Sequence, residues 1–448
     1  MLKTIITALL CTLVSALVAQ TVLPPNVSES IQSRIDNRIN PGIVVAIIDE
    51  KGPHYFSFGV KSLKSREPVN ENSIFEIGSI TKTFTGILLA KQVLAGDSKL
   101  DDPLQKYLPA GVTAPTRNGA SITLLHLSNH TSSLPYMPGN LKPANPANPF
   151  ADYTEQLLYD FLKSHELTRD IGSKYEYSNY AVGLLGHVLA TKSGLSYEQL
   201  MINAIAKPLK LDDTRITLTP DMKKNLATGY VGDIESGNWD LASLAGAGAI
   251  RSSAVDMARY VSANMGLIKT DLYPAIQLSH QNSRGENAVP RVGLGWHIQP
   301  AGNQEIVWHN GGTGGYRTFI GFIKGGNKGV VVLSNSNTSI DDIGFHLLNP
   351  ESPLKVMEKE IHVDATVLER YVGKYELAPG YILTVSRSEN QLKAQLTGQA
   401  EFPVFPKSEN VFFYRVVEAQ LTFTQNSEGV VEGLVLEQAG QKIAAKKL

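Results

Sequence analysis

The spacing of apolar residues divides the chain into strand-like and helix-like stretches. Residues 43–48 form an unbroken apolar run that is short enough for a buried strand, and residues 54–60 predict a second strand. Residues 84–94 have apolar positions at helical spacing, and helical patterns broken by Pro, Asn and Gly loops dominate residues 120–290. Strand patterns return in residues 295–334. The pattern predicts a domain with strands at both ends and helices between them.

The pattern changes in the C-terminal part of the chain. From residue 368 onward, short alternating segments are separated by turn residues at intervals of about 10 residues, which predicts a small all-β sandwich or barrel. Residues 349–364 contain two prolines and several charges, as expected of a boundary between domains. We therefore predict a mixed domain over residues 27–350 and a β domain over residues 365–448.

The N-terminus predicts export. An uncharged apolar run, residues 5–17, follows a lysine, and Ala16 or Ala19 could precede a cleavage site, so residues 1–19 are predicted to be a signal peptide. The alternative is an uncleaved membrane anchor, although the run is shorter than the ~20 residues of a spanning helix. The only cysteine, Cys11, lies in this segment. A mature protein without cysteine has no disulfides and no thiolate chemistry. Export without cysteine is more typical of a bacterial periplasmic or secreted protein than of a secreted protein with a disulfide-rich fold.

Overall charge gives no reason to expect nucleic acid as a partner. Lys and Arg number 41 and Asp and Glu 42, so the 448-residue chain is nearly neutral. Hydrophobic residues make up 42% and charged residues 19%, which is typical of a soluble globular protein.

The first chemical motif is Ser79-Ile80-Thr81-Lys82, placed just before the predicted helix at residues 84–94. If Ser79 opens that helix, Lys82 lies one turn later on the same face and could receive the serine proton when burial keeps it neutral. The same spacing recurs at Ser352 and Lys355, but no apolar helix follows there, so we interpret that pair as coincidence.

The second motif is Tyr177-Ser178-Asn179. A tyrosine near a lysine could lose its proton more readily and relay it, and an asparagine amide could hold both the lysine and a substrate carbonyl. The alternative is a loop tyrosine followed by an asparagine that caps the next predicted helix, residues 180–192.

The third motif is His309-Asn310-Gly311-Gly312, followed by Thr-Gly-Gly after a predicted strand. Its glycines would let a substrate approach the backbone, and a backbone N–H there could serve as an oxyanion donor. The alternative is a flexible hairpin loop. A phosphate-binding loop is excluded because no Gly-Lys-Ser/Thr ending follows. The histidines His54, His187 and His297 stand in apolar or strand-like contexts and are predicted to pack.

The three motifs in this order resemble the serine β-lactamase and penicillin-binding-protein superfamily, whose first motif is Ser-x-x-Lys. The closer resemblance is to its class C branch, with D-alanyl-D-alanine carboxypeptidases, D-aminopeptidases and related esterases. Residues 75–78 and 126–135 add to the resemblance, which covers residues 28–345. The tail, with Tyr371-Val-Gly-Lys-Tyr375, is similar to lipocalin-like domains appended to such hydrolases.

This resemblance implies a fold and a set of roles. The fold would be α+β, with N- and C-terminal strands paired in an antiparallel sheet, an inserted helical lobe with Ser79 between them, and then a β-barrel. Ser79 would be acylated, Lys82 and Tyr177 would move protons, and Asn179 would orient Lys82 and the substrate. The N–H groups of Ser79 and Gly312 would form the oxyanion hole. The third motif corresponds to the His-x-Gly form of the family, here His309-Asn310-Gly311. His309 would bind the substrate or Tyr177.

The function implied is a serine hydrolase that needs neither cofactor nor metal. Its substrates would be D-amino-acid peptides such as those of peptidoglycan, β-lactams or small esters. The alternative is a penicillin-binding sensor or binding protein that is acylated with little turnover. Other hydrolase classes lack their signatures, because neither Gly-x-Ser-x-Gly nor His-Glu-x-x-His is present. Class C lactamases have lysine where this chain has His309, and we hypothesise that His309 acts as a neutral hydrogen-bond donor.

Overall fold

A computed structural model describes residues 21–285, 287–358, 360–415, 417, 419–438 and 440–448. The predicted signal peptide, residues 1–19, and Cys11 lie outside the described residues, so export stays a prediction. Within the described part of the chain, every helix is too short or too polar to cross a membrane.

The helices are interspersed with short 3₁₀ turns, of which Gly78–Ile80 matters most for the site. The helices are α1 (Pro25–Asp36), α2 (Thr81–Leu94), α3 (Leu124–Ser128), α4 (Glu155–Ser164), α5 (Asn179–Ser193), α6 (Tyr197–Met201), α7 (Lys207–Leu209), α8 (Pro220–Asn225), α9 (Ala245–Gly248), α10 (Ala254–Asn264), α11 (Tyr273–Ser279), α12 (Asp341–Leu348) and α13 (Ala365–Tyr371).

The longer strands lie at the two ends of the first domain and in the tail, and strands of two or three residues lie between those ends. They are β1 (Gly42–Asp49), β2 (Gly52–Gly59), β3 (Ile74–Glu76), β4 (Thr116–Arg117), β5 (Ala120–Ser121), β6 (Gly229–Val231), β7 (Ile234–Ser236), β8 (Arg251–Ser253), β9 (Arg291–Val292), β10 (His297–Ala301), β11 (Gln304–Gly312), β12 (Arg317–Ile323), β13 (Gly329–Ser334), β14 (Gly373–Ala378), β15 (Tyr381–Ser388), β16 (Gln391–Leu396), β17 (Phe402–Pro406), β18 (Val411–Tyr414), β19 (Ala419–Gln425), β20 (Val431–Gln438) and β21 (Gln441–Lys447).

A seven-stranded antiparallel sheet organises the first domain. Its order is β2-β1-β13-β12-β11-β10-β9, so the N-terminal strands pair directly with the C-terminal ones. Val45 of β1, for example, lies opposite Val332 of β13. The predicted antiparallel sheet, with helices inserted between its two halves, is confirmed.

Strand β1 is buried on both faces, which explains why apolar and polar residues do not alternate in its sequence. Val44, Ala46 and Ile48 face one core that includes α2 and α10, whereas the residues between them face a second core that includes α1 and α12. Because both faces of the strand are covered, every position from 42 to 48 is buried. A strand buried on both faces reads as a continuous apolar run.

Glycines let the helices of the inserted lobe approach closely behind the first motif. A Cβ placed on Gly186 of α5 would lie 2.8 Å from the Cα of Gly246 in α9, so neither position has room for a side chain. The buried helix α2 also contacts both α5 and α9. This close packing places residues of α5 and α9 beside Lys82, which lies in the first turn of α2.

The tail forms a closed eight-stranded barrel in which β14 to β21 are neighbours in sequence order. Alternate residues point inward, as Leu383 and Val385 of β15 do. The interior is filled by side chains, including the rings of Tyr371, Tyr375 and Phe423. An eight-stranded barrel is about wide enough for its own side chains to fill it. The predicted β-barrel is confirmed.

Two local predictions differ from the structure. The prolines in residues 20–27 predict an extended segment, whereas α1 already begins at Pro25, because proline fits the first turn of a helix without losing a hydrogen bond. The strand predicted to end before His309 continues to Gly312 in β11. The segment between α12 and α13 is irregular, and the domain limits at residues 350 and 365 stay predictions.

Candidate active site

Ser79 lies in the 3₁₀ turn that leads into α2, as the spacing of the first motif predicted. It is partly exposed, whereas Gly78 and Ile80 on either side are buried. Gly78 has a left-handed φ of 52°, and a Cβ there would lie 2.7 Å from the backbone nitrogen of Gly312. Glycine at position 78 therefore allows the serine turn to contact the third motif directly.

Lys82 is fully buried one turn after Ser79. Its Nζ lies 3.0 Å from Ser79 Oγ, 2.7 Å from Asn179 Oδ1 and 2.7 Å from the carbonyl oxygen of Ala247. Burial holds the pKa of the Lys82 amine well below its ordinary value, because desolvation disfavours the charged form. The structure thus brings the first motif, the second motif and helix α9 together at one nitrogen atom.

The contacts of Lys82 Nζ define which way a proton could move. A neutral amine has two N–H groups and one lone pair. The amide oxygen of Asn179 and the carbonyl oxygen of Ala247 only accept hydrogen bonds, so they take the two N–H groups. The lone pair then faces the hydroxyl of Ser79, which is the geometry a general base requires.

Asn179 is free for this role because Ser178 caps helix α5. The Oγ of Ser178 accepts from the N–H of Ala181 at 2.9 Å and donates to the carbonyl of Pro135 at 2.6 Å. Capping, the alternative role considered for Asn179, is therefore performed by its neighbour. The helix ends at Gly194, which has a left-handed conformation.

Tyr177 lies against the same lysine. Its ring centroid is 4.9 Å from Lys82 Nζ. Burial raises the pKa of the Tyr177 hydroxyl above its ordinary value, and a hydrogen bond to Ser79 lowers it by a smaller amount. The sequence suggested that a nearby lysine would ease deprotonation of the tyrosine. Because burial disfavours the charged forms of both groups, the structure instead favours a Tyr177 that stays protonated and can donate.

The third motif lies within strand β11 instead of a flexible loop. His309, Gly311 and Gly312 pair with Ile320, Thr318 and Arg317 of β12. A Cβ on Gly311 would lie 2.0 Å from the carbonyl oxygen of Ile77, just before the serine turn. Gly311 therefore allows the strand to pack against that turn, a structural role in addition to the predicted approach of substrate.

His309 is buried, and a hydrogen bond determines which of its two ring nitrogens carries the proton. Its Nδ1 lies 2.6 Å from the carbonyl oxygen of Asn310, which only accepts, so Nδ1 carries the proton. Burial holds the pKa of His309 well below its ordinary value, because desolvation disfavours the charged imidazolium. Nε2, which is buried and has no partner among the described residues, is then a hydrogen-bond acceptor. The predicted neutral state fits this geometry, whereas the predicted donor role does not.

Two further histidines surround these groups. The ring of His297 lies 5.0 Å from that of His309, and burial lowers the pKa of His297 to about 4. The ring of His130 stacks on Tyr177 at 4.5 Å. The sequence predicted only packing for His297 and indicated no role for His130. The one signal for His130 was its place in the segment 126–135, which contributes to the family resemblance.

The second Ser-x-x-Lys pair is not a comparable site. Ser352 and Lys355 lie in the irregular segment after α12, and the backbone N–H of Lys355 donates to Asp342. Neither residue belongs to a helix that could align their side chains.

Family models match both parts of the chain. The family described as Beta-lactamase matches residues 27–347, and a Domain of unknown function (DUF3471) matches residues 358–447. The chain is 31% identical to a Beta-lactamase of Escherichia coli (strain K12) over 75% of this chain and 95% of that protein. It is also 31% identical to the D-alanyl-D-alanine-carboxypeptidase/endopeptidase AmpH of the same strain, over 73% of this chain and 89% of that protein.

Similarity to one solved structure extends over both domains. The octameric penicillin-binding protein homologue from Pyrococcus abyssi superimposes with a TM-score of 0.67 at 22% identity, covering 94% of this chain and 99% of that one. At this identity the match shows a shared fold.

Proposed function

This chain belongs to the beta-lactamase family, and we propose that it forms an acyl-enzyme at Ser79 with D-amino-acid peptides, β-lactams or small esters and then hydrolyses it. Its relatives support a hydrolase of the serine beta-lactamase and penicillin-binding-protein kind, without specifying the substrate. We further propose a periplasmic or secreted location, which is supported by the pattern of residues 1–19.

One observation carries the proposal of acylation. Lys82 Nζ lies 3.0 Å from Ser79 Oγ and within 2.7 Å of two oxygens that only accept, so in its neutral form, which burial favours, its lone pair would face the serine hydroxyl. Lys82 can accept the serine proton as the oxygen attacks a carbonyl carbon. Tyr177, protonated before the reaction, can donate to the leaving group and take up the serine proton from Lys82 in exchange, and the backbone N–H groups of Ser79 and Gly312 would stabilise the oxyanion.

The third motif supports a substrate class. A neutral His309 offers no positive charge for a substrate carboxylate, unlike the lysine of class C lactamases. Its Nε2 can accept a hydrogen bond from Tyr177 or from a substrate N–H. We propose that neutral esters and amides are accepted along with peptides and penicillins that carry a carboxylate.

The test is intact-mass analysis after exposure of the protein to penicillins, D-Ala-D-Ala peptides and p-nitrophenyl esters. We expect a single adduct on the peptide that contains Ser79, and product in excess of enzyme for at least one substrate class. A burst of one product per enzyme without turnover would contradict hydrolysis and identify the alternative, a binding or sensor protein. An adduct at any other residue would exclude Ser79 as the nucleophile.

Substitution of His309 by lysine should change the preference among substrates. His309→Lys should raise kcat/KM for penicillins and free C-terminal peptides relative to neutral esters by about tenfold, the effect of one charge-assisted hydrogen bond. The control is His362→Lys, which adds lysine at an exposed position between the domains and should leave the ratio unchanged.

The pH profile of the wild-type protein tests the neutral state of His309 itself. If activity on carboxylate substrates fell tenfold per pH unit above about pH 7 while ester activity did not, His309 would have to be cationic to bind them. We expect no such difference, because burial keeps its pKa low.

A further inference from the structure

His130 has a backbone conformation that needs an explanation. It lies between α3 and α4, is almost fully buried, and has a left-handed φ of 62°. Histidine rarely adopts this conformation unless the surrounding contacts hold it there. None of the steps proposed for Ser79 and Lys82 uses this residue.

The contacts of His130 are made on both sides of Tyr177. Its carbonyl oxygen accepts from the N–H of Glu176 at 2.8 Å, and its Nδ1 accepts from the N–H of Ser178 at 3.0 Å. One residue thus holds the backbone immediately before and immediately after the tyrosine.

The imidazole also contacts the tyrosine ring itself. The two rings stack with centroids 4.5 Å apart and planes inclined by 26°. Because Nδ1 accepts a hydrogen bond, the ring is held in one orientation, and the stacked phenol has one face fixed. Lys82 also lies near the phenol, with Nζ 4.9 Å from its centroid.

Residues that follow His130 also hydrogen-bond to the second motif. The carbonyl of Pro135 accepts from Ser178 Oγ at 2.6 Å, and the carbonyl of Tyr136 accepts from the N–H of Asn179 at 2.9 Å. The segment 130–136 therefore runs beside the second motif and hydrogen-bonds to the backbone of each residue around Tyr177.

We propose that His130 is a positioning residue, which fixes the backbone and ring of Tyr177 so that its hydroxyl meets Ser79. The proposal rests on the acylation of Ser79 proposed above. Its consequence is specific: His130 affects the reaction only through the hydroxyl of Tyr177.

Three variants separate the two contacts of the imidazole. His130→Asn places an amide oxygen near the position of Nδ1 and tolerates a positive φ, but loses the stacked ring. His130→Phe keeps a ring and leaves the N–H of Ser178 without an acceptor. His130→Ala loses both contacts and should slow single-turnover acylation by about 10²-fold, as expected when a catalytic group is misplaced by about 1 Å. Each of the other two should fall between wild type and His130→Ala.

The decisive experiment is a double-mutant cycle with Tyr177→Phe, measured as single-turnover acylation by a p-nitrophenyl ester. If His130 acts through the tyrosine hydroxyl, His130→Ala should change the rate by less than about twofold in the Tyr177→Phe background. The matched control is His280→Ala, which removes another buried histidine, bonded to Asn264 Oδ1, and should leave acylation unchanged. Thermal unfolding of each variant shows whether it is folded.

Additive losses in the cycle, or acylation of His130→Ala within twofold of wild type, would overturn the positioning role while leaving acylation of Ser79 intact. Failure of the wild-type protein to be acylated would overturn the proposed function and this inference with it. If His130→Ala does not fold, His130→Asn carries the same comparison, because it keeps the backbone contact and removes only the stacked ring.

Discussion

Ser79→Ala should abolish acyl-enzyme formation and leave the fold intact. The change removes a single oxygen from a partly exposed side chain, so we expect little change in thermal unfolding. Turnover should fall by about 10⁶-fold, the cost in kcat of removing a nucleophilic serine in another hydrolase. Mass spectrometry of the protein incubated with a fluorophosphonate or a penicillin measures acyl-enzyme formation directly.

The chain offers a matched control for this experiment. Ser352→Ala alters the other serine that precedes a lysine by three residues and should leave acylation unchanged. If Ser79→Ala turned over substrate at the wild-type rate, Ser79 would not be the nucleophile.

Lys82→Ala should have the second-largest effect. Removing the group that accepts the serine proton should slow acylation by at least about 10²-fold, and the missing amine leaves a cavity beside Ser79. Small primary amines such as methylamine could enter that cavity and restore part of the rate. Rescue would separate a chemical role of the amine from damage to the fold, and Lys355→Ala serves as the control.

The pH dependence of the wild-type enzyme tests the same base. The neutral form of Lys82 is the active one, so the acylation rate should rise with pH through its pKa and then level off. Because burial lowers that pKa, the plateau should be reached well below the pH at which a lysine in water loses its proton. A rate that kept rising up to pH ~10.4, the pKa of an unperturbed lysine, would contradict the buried neutral base.

The sequence by itself determined the features that depend on neighbours along the chain. Apolar spacing predicted α2 and α5, and the continuous run at 43–48 predicted β1. Ser79 and Lys82 lie one helical turn apart, so their contact follows from the helix alone. Alternation in the tail predicted strands, because a barrel strand has one face inside and one outside.

The tertiary structure alone decided which distant groups meet at Lys82. The oxygen atoms of Asn179 and Ala247 come from 97 and 165 residues further along the chain, and no local pattern specifies that distance. The charge of Lys82 also depends on its burial, which requires α5 and α9 to pack against α2. The protonation of Tyr177 and His309 follows from the same desolvation, so the sequence predicted which residues are present but not their charge states.

His130 shows the same limit most clearly. Its own sequence context gives no chemical reason for a role, since one histidine in a loop is usually a packing residue. Its two hydrogen bonds to the residues flanking Tyr177 join segments that are 46 and 48 positions apart, and they exist only because the chain folds back on itself there. Long-range backbone hydrogen bonds are made by groups that every residue carries, so no residue type in the sequence identifies them.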